Sequence, residues 1–319
     1  MWDGTTRRLN VAEGGERAAG LVKLRAHAKI NLDIHVGVRR ADGFHDLRTI
    51  MQSIDLHDTV TLRAIDGPCQ VRCSAAGVPT DENNLAWRAV CGLWSALGRP
   101  GDPRGVAVTI AKRIPVAAGL GGGTSDAVAV LRGMCRLWGV APDLPCLGEV
   151  AAGLGADGPF FLVGGTALGI GRGEEVYPLE ELQRHWVVVA APPRGVSTVT
   201  AYGWLARDRA ASAHRGESRH RRTRRLPPVV GASLDFGALK NDLEQSVTRR
   251  RSEIRRTVRM LAGGGAKVAA MTGSGSAVFG LFTNRAVAVE VARGVSYDGW
   301  KVTVTQTMDR VRLARRLWL

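Results

Sequence analysis

Apolar and polar residues alternate from Leu21 to Val38. Ile30, Leu32, Ile34, Val36 and Val38 fall on one face of an extended strand; Lys29, Asn31, Asp33 and His35 fall on the other. Lys29 and Asn31 therefore project side by side. Asp42–Gly43 follows as a turn. The pattern predicts further strands over 59–64, 69–73 and 105–111, and a helix over 85–97. Helical spacing returns at Val128, Leu131, Met134 or Cys135, and Trp138. Beyond it, 153–158 reads as a helix end and turn, and 160–167 as strand-like. Residues 186–191 read as a buried strand that opens the second half. A long helix is predicted over 242–261, with Val247, Ile254, Val258 and Leu261 facing inward. Strands over 268–271 and 277–282 flank a turn at 272–276, then come a helix over 283–293 and a strand over 302–305. This mixture predicts an α+β chain of two lobes with a seam near 175–185.

The run Gly119–Leu120–Gly121–Gly122–Gly123–Thr124–Ser125 lies between Lys112–Arg113–Ile114–Pro115 and the helix that starts near 124. Glycines at a loop-to-helix junction let the backbone approach phosphate oxygens closely. The first helical turn adds unpaired N–H donors and the positive end of the dipole. The hydroxyls of Thr124 and Ser125 add donors or a metal contact. A Walker A loop is excluded, because no lysine precedes the hydroxyl. A dinucleotide fingerprint is excluded as well. Asp126, in the first helical turn, reads as a cap or a metal-side residue. Glycine-rich turns recur at 164–173 and 273–275, and together the three predict backbone lining a cleft.

The chain has 319 residues, enough for two cores. No apolar run approaches the roughly 20 residues of a membrane helix. The first twenty residues are polar and glycine-rich, read as a flexible extension without a signal peptide's apolar segment. Five cysteines without paired spacing read as free thiols in a reducing cytoplasm. The net charge of +15 is concentrated. Residues 207–225 carry +6 and 249–259 carry +5, leaving +4 elsewhere. The first run reads as a solvated, mobile insertion and the second as a helix face. No base-reading motif or aromatic interleaving accompanies either.

Ala28-Lys29-Ile30-Asn31-Leu32, Asp42-Gly43-Phe44-His45, Lys112-Arg113-Ile114-Pro115 with the glycine run, Gly155-Ala156-Asp157-Gly158-Pro159 and Met271-Thr272-Gly273-Ser274-Gly275 resemble the ordered motifs of the GHMP small-molecule kinases. The Lys-Ile-Asn-Leu and Asp-Gly-Phe-His stretches resemble the 4-diphosphocytidyl-2-C-methyl-D-erythritol kinase branch of that superfamily. The resemblance covers roughly residues 22–306. It implies a two-lobed fold: a ribosomal-S5-like N-terminal lobe over 21–180, an α/β C-terminal lobe over 181–319, and the active site in the cleft. It also implies ATP-dependent phosphorylation of a tertiary 2-hydroxyl.

On that resemblance Asp157 accepts the hydroxyl proton, and Lys29 stabilises charge on the moving phosphoryl group. Asn84, Lys112, Pro115, Gly119, Leu120, Gly121, Gly122, Gly123, Thr124 and Ser125 are implied for ATP. Asn31, Phe44, His45, Thr198, Tyr202, Gly273 and Ser274 are implied for the substrate, with Phe44 and Tyr202 stacking on cytosine and His45 reading its edge. Phe44 replaces a more usual tyrosine, and Gly158 a more usual valine. Mg2+ is implied by nucleotide chemistry, with no ligand set legible. A cytoplasmic monomer or homodimer is expected, with no membrane or nucleic-acid partner. The rival readings are a homoserine- or mevalonate-type GHMP kinase, and an inactive basic RNA-binding protein on the same fold.

Overall fold

The computed structural model describes residues 20–141, 143–214, 234–296 and 299–319. The alternating segment forms β1 (Leu21–Arg39), which pairs antiparallel with β2 (His45–Pro68) along nearly its whole length. The pattern revealed only 59–64 of β2. Residues 49–54 are buried on both faces, so they show no alternation. β3 (Gln70–Cys73) lies parallel to β4 (Arg104–Ala111), and β4 pairs with residues 59–68 of β2. Residues 49–52 pair instead with β5 (Thr166–Ile170), which carries β6 (Glu175–Pro178). One face of this sheet packs on α1 (Leu85–Ala96), α2 (Gly122–Leu137) and α3 (Leu144–Leu154). The expected inward Val128, Leu131 and Met134 are in that core; Trp138 lies at its margin.

The second sheet has the order β10–β7–β9–β8, all antiparallel, from β7 (Trp186–Ala191), β8 (Val268–Met271), β9 (Val278–Phe282) and β10 (Lys301–Gln306). Val188, Ala190 and Phe282 face a core shared with α5 (Thr198–His214), α6 (Glu244–Arg250), α7 (Ser252–Gly263) and α8 (Arg285–Gly294). Val187, Val189, Phe279 and Leu281 face the other way, onto Ile30 and Leu32 of β1 and Ile54 of β2. Each such side chain contributes about 1.5–3 kcal/mol by its burial.

β1 is an edge strand, and every outward amide on such an edge needs an acceptor. Four segments supply them. Arg25 N donates to Leu317 O at 2.8 Å, and Lys29 N to Leu120 O at 3.1 Å. Asn31 N donates to Thr272 Oγ1 at 3.0 Å. Ile34 N donates to Lys240 O at 2.8 Å, and Val36 N to Asp242 Oδ2 at 3.0 Å. One strand thus gathers the glycine loop, the turn after β8, the segment before α6 and the C-terminal tail. That tail follows α9 (Arg310–Arg316) and bridges Leu24 through Trp318. It packs on the first sheet, which departs from a division giving everything after residue 180 to the second lobe.

Three expectations need correction. Residues 160–167 are not one strand: α4 (Gly158–Val163) comes first, with Pro159 in its first turn, and Gly164 at φ +70° ends it before β5. The helix over 242–261 is two helices broken at Arg251 (φ −129°, ψ 82°), whose Nη2 donates to Arg194 O at 3.0 Å. The start of the basic insertion is not a solvated loop but the end of α5. There Arg209 Nη2 donates to Val36 O at 2.9 Å, and Asp208 pairs with Arg250 at 2.6 Å. Residues 215–225, and the extension over 1–19, lie outside the described residues.

α3 and α4 meet closely: a Cβ on Gly158 would lie 2.0 Å from Ala151 O. Gly158→Val, the residue more usual in the resembling kinases, is expected to destabilise by about 2 kcal/mol or more, because backbone must shift to admit it. Urea unfolding checks this. A midpoint equal to that of the unchanged protein would show that α3 yields.

Candidate active site

The glycine loop forms the wall of a cavity of about 340 Å³ that also includes Asn84, Lys112, Pro115 and Asp126. Gly121, at φ +70°, is the N-cap of α2. The first helical bond runs from Ser125 N to Gly121 O at 2.9 Å, so the amides of residues 122–124 have no partner within the helix. Gly119 has φ +79°, and a Cβ there would stand 2.4 Å from Thr272 O. A Cβ on Gly121 would stand 2.6 Å from the Phe161 ring. The loop is pressed between α4 and the second lobe, and any side chain at either glycine would displace it. Leu120 is buried and gives its carbonyl to β1.

Several nucleotide-side expectations meet competing partners. Ser125 Oγ donates to His27 O at 2.6 Å and is absent from the loop cavity's lining. Its proton is committed to β1, and Thr124 alone of the pair lines the cavity. Asn84 caps α1, accepting from Ala86 N at 2.8 Å and donating to Pro79 O at 2.5 Å. Lys112 Nζ lies 2.7 Å from Asp126 Oδ2 and also pairs with Asp58 Oδ2. The Lys112 ammonium is therefore an internal counter-ion that borders the cavity. Asp126 does not cap α2, whose N-cap Gly121 receives no side-chain hydrogen bond. Asp58 Oδ1 accepts from the amides of Arg113 and Ile114 as well, whereas Asp126 Oδ1 has no partner. Burial is the largest effect on Asp126 and raises its carboxyl above the usual range. The Asp58 charge adds to this, and the Lys112 ammonium opposes it.

A second cavity, of about 260 Å³, shares Gly119, Gly121 and Thr124 with the first. It is lined by Lys29, Asn31, Asp157, Thr198, Tyr202, Gly273 and Ser274, all named from sequence. Lys29 is 4% exposed. Its Nζ lies 3.2 Å from Asp157 Oδ2 and 2.6 Å from Asn31 Oδ1, so the buried charge is answered from two sides. Asn31 Nδ2 donates to Thr49 Oγ1 at 2.8 Å, which fixes the amide's orientation. Thr198 and Ser274 hydroxyls are 3.0 Å apart. The Tyr202 phenol is pushed up to about 12, by burial first and then by the Asp157 charge, so it stays neutral. The His45 ring lies 5.3 Å from that of Tyr202. Phe44 lies outside this lining: it is 55% exposed, with the Arg172 guanidinium 5.2 Å from its ring centroid.

Three residues here carry more than their sequence signal suggests. Thr272 Oγ1 accepts from Asn31 N and donates towards Gly119 O at 3.3 Å, joining β1, the loop and the second lobe. Asn241 Nδ2 holds the carbonyls of Met271 and Gly273 at 2.8 and 2.9 Å. Arg172 lines the second cavity from inside a glycine-rich turn. The turns were legible; the polar residues within or beside them were not singled out. For magnesium, Asp157 and Thr124 bring hard oxygen donors to one cavity, a set that fits an ion otherwise held by water and phosphate. Among the described residues, the His/Cys/Asp/Glu group close enough to hold an ion is His27, Asp55 and His57, outside both cavities.

The profile of the GHMP kinases N-terminal domain matches residues 84–165, and that of the C-terminal domain residues 225–299. A 4-diphosphocytidyl-2-C-methyl-D-erythritol kinase of Geobacter sulfurreducens is 40% identical over 288 residues, covering 89% of this chain and 98% of its own. A crystal structure of 4-(cytidine 5'-diphospho)-2C-methyl-D-erythritol kinase superposes with a TM-score of 0.68 at 30% identity, over 89% of this chain and 98% of that one. The homoserine kinase of Cytophaga hutchinsonii shares the fold, with a TM-score of 0.66 at 17% identity over 93% and 98% of the chains. No helix among the described residues is long and apolar enough to cross a membrane.

The Lys112 cluster gives a pH signature. A carboxyl raised in the folded state contributes stability that is full below its unfolded pKa and lost as pH rises through the folded value. Stability to urea should therefore fall as pH rises above the ordinary carboxylate range, and Asp126→Asn should flatten that slope. Lys112→Met should cost about 3–5 kcal/mol, because it leaves two buried carboxylates facing each other. An unchanged slope in the Asn variant would remove Asp126 as its source.

Proposed function

Because the chain belongs to the 4-diphosphocytidyl-2-C-methyl-D-erythritol kinase family of the GHMP kinases, we propose that its adjoining cavities hold ATP and that cytidine-linked substrate. The reaction is phosphorylation of the substrate's 2-hydroxyl, a step of the non-mevalonate route to isoprenoid precursors. The observation that carries this reading is the pairing of Lys29 with Asp157 at 3.2 Å, in a cavity that shares Thr124 and two glycines with the loop cavity.

The loop amides of residues 122–124 face the phosphates with the positive end of α2 behind them. Asp157 and Thr124 would hold a magnesium ion, which would neutralise charge on the phosphates. The Asp157 carboxylate takes the proton of the attacking hydroxyl as the oxygen bonds to the γ-phosphorus and the bond to ADP breaks. Lys29 orients that carboxylate and offers positive charge to the transferring group. Asn31, fixed by Thr49, holds the acceptor end. Tyr202 presents a neutral ring beside His45 to the cytosine, and Thr198 and Ser274 present hydroxyls to the substrate. Phe44 and Arg172 stand at the outer rim, where the guanidinium suits a diphosphate.

Five free thiols suit a reducing cytoplasm. A monomer or homodimer suffices, since the two lobes of one chain complete the site. The described basic runs are partly neutralised from within: Arg250 pairs with Asp208, Arg209 with Asp242 and Arg251 with Glu253. These pairings weigh against an RNA-binding face.

A coupled assay of ADP release tests the reaction, with homoserine and mevalonate as competing acceptors. Turnover only with either of those would overturn the substrate. Asp157→Asn should fold normally and lose about 10²–10⁴-fold in kcat; unchanged kcat would remove Asp157 from proton transfer. Arg172→Gln should raise KM for the cytidine substrate about tenfold, the worth of one charge-assisted contact, while KM for ATP stays put. Equal changes in both constants would take Arg172 away from the substrate.

A further inference from the structure

Behind the glycine loop, on the side away from both active-site cavities, lies a third cavity of about 290 Å³. It sits between β1, α2, α4 and α9. Its lining includes Arg25, His27, Arg132 and Arg310, and no carboxylate. Arg310 is answered by Glu181 at 3.1 Å. Arg25 and Arg132 are not so answered: among the described residues no carboxylate comes within salt-bridge distance of either. Arg25 Nη1 donates to Arg316 O, and Arg132 Nη2 to Leu162 O, both at 2.6 Å. Burial pulls the Arg132 guanidinium below its ordinary value. His27 is 7% exposed, lines the cavity, and has no partner on Nε2.

A half-buried guanidinium without a counter-ion is costly unless something negative completes it. The other walls are apolar, with Phe161, Leu313 and Leu317 among them. We propose that this cavity binds a small anionic amphiphile: a phosphate group held by Arg25 and Arg132, with a short hydrocarbon chain against Phe161 and Leu313. A cation is a poor fit. The nearby Asp55 already meets Arg316 Nη1 at 2.5 Å. The His27 imidazole is held down at about 4, by burial first and then by the His57 charge, so it is neutral and adds no positive charge; the two guanidinium groups are what make the cavity unsuited to a cation.

The cavity also touches the phosphate loop from behind. Phe161 is the ring that abuts Gly121, and the lining residue Ser125 begins the hydrogen-bonded part of α2. Occupancy has a direct packing route to the loop, a link that rests on the kinase reading above. The binding site itself does not.

Calorimetric titration of the whole protein with hexyl phosphate tests it, with ADP and CDP present at saturation so that the active-site cavities are filled. One site is expected. Arg132→Gln and Arg25→Gln should each weaken it about tenfold or more, as loss of a charge-assisted hydrogen bond does. Arg132→Lys, which keeps the charge, should fold and weaken it less than Arg132→Gln. Hexanol and inorganic phosphate, each lacking one half of the ligand, should bind at least tenfold more weakly. Absence of hexyl phosphate binding, equal affinity in the Arg25→Gln variant, or hexanol binding as tightly would overturn the proposal. Because the readout is heat of binding, a failure of the kinase reading, seen as missing ADP release, stays distinguishable.

Discussion

The unpaired edge of β1 is the constraint on which the rest depends. A sheet edge left bare is both unsatisfied and a template for another chain. Here Leu317, Leu120, Thr272, Lys240 and Asp242 supply the acceptors. They arrive on four separate segments. The amide of Lys29 fixes the glycine loop while its side chain meets Asp157 from α4. Anchoring and chemistry therefore use one residue, and the site's geometry is inherited from strand pairing.

Buried charge in and around the active-site cavities is handled the same way. Asp33 is taken up by Arg48 at 3.1 Å and by the amide of Lys240 at 3.0 Å. Lys112 faces Asp58 and Asp126, and Lys29 faces Asp157 and Asn31. Such pairs add little net stability, yet losing one partner costs about 3–5 kcal/mol. They act as registration pins: only one relative placement of β1, β2, α2 and α4 satisfies them all.

Much of the architecture was legible from periodicity. The lysine–asparagine face of β1 and the glycine junction before α2 are local patterns, and local patterns survive in sequence. The first half of β2 was not legible, because a strand buried on both faces has no alternation. α4 was hidden by Phe160 and Phe161, whose apolar run resembles a strand; Pro159 was the overlooked helix signal. The break at Arg251 has no sequence mark, since it is set by a distant carbonyl at Arg194. The same reason explains Ser125 and Lys112: their partners, His27 and Asp58, are 98 and 54 residues away. Thr272 and Arg172 lay inside turns already noted, where glycine drew the eye from the polar residue doing the joining.

Gly119 and Gly273 bring backbone against backbone where the lobes touch, with the added-Cβ positions only 2.4 and 3.0 Å from the opposing carbonyls. No rotamer change can open space there. Any swing of one lobe against the other must turn on that point as on an axle. Lys29 and Asp157 share one cavity with that contact, so their spacing is set where the lobes are most tightly joined.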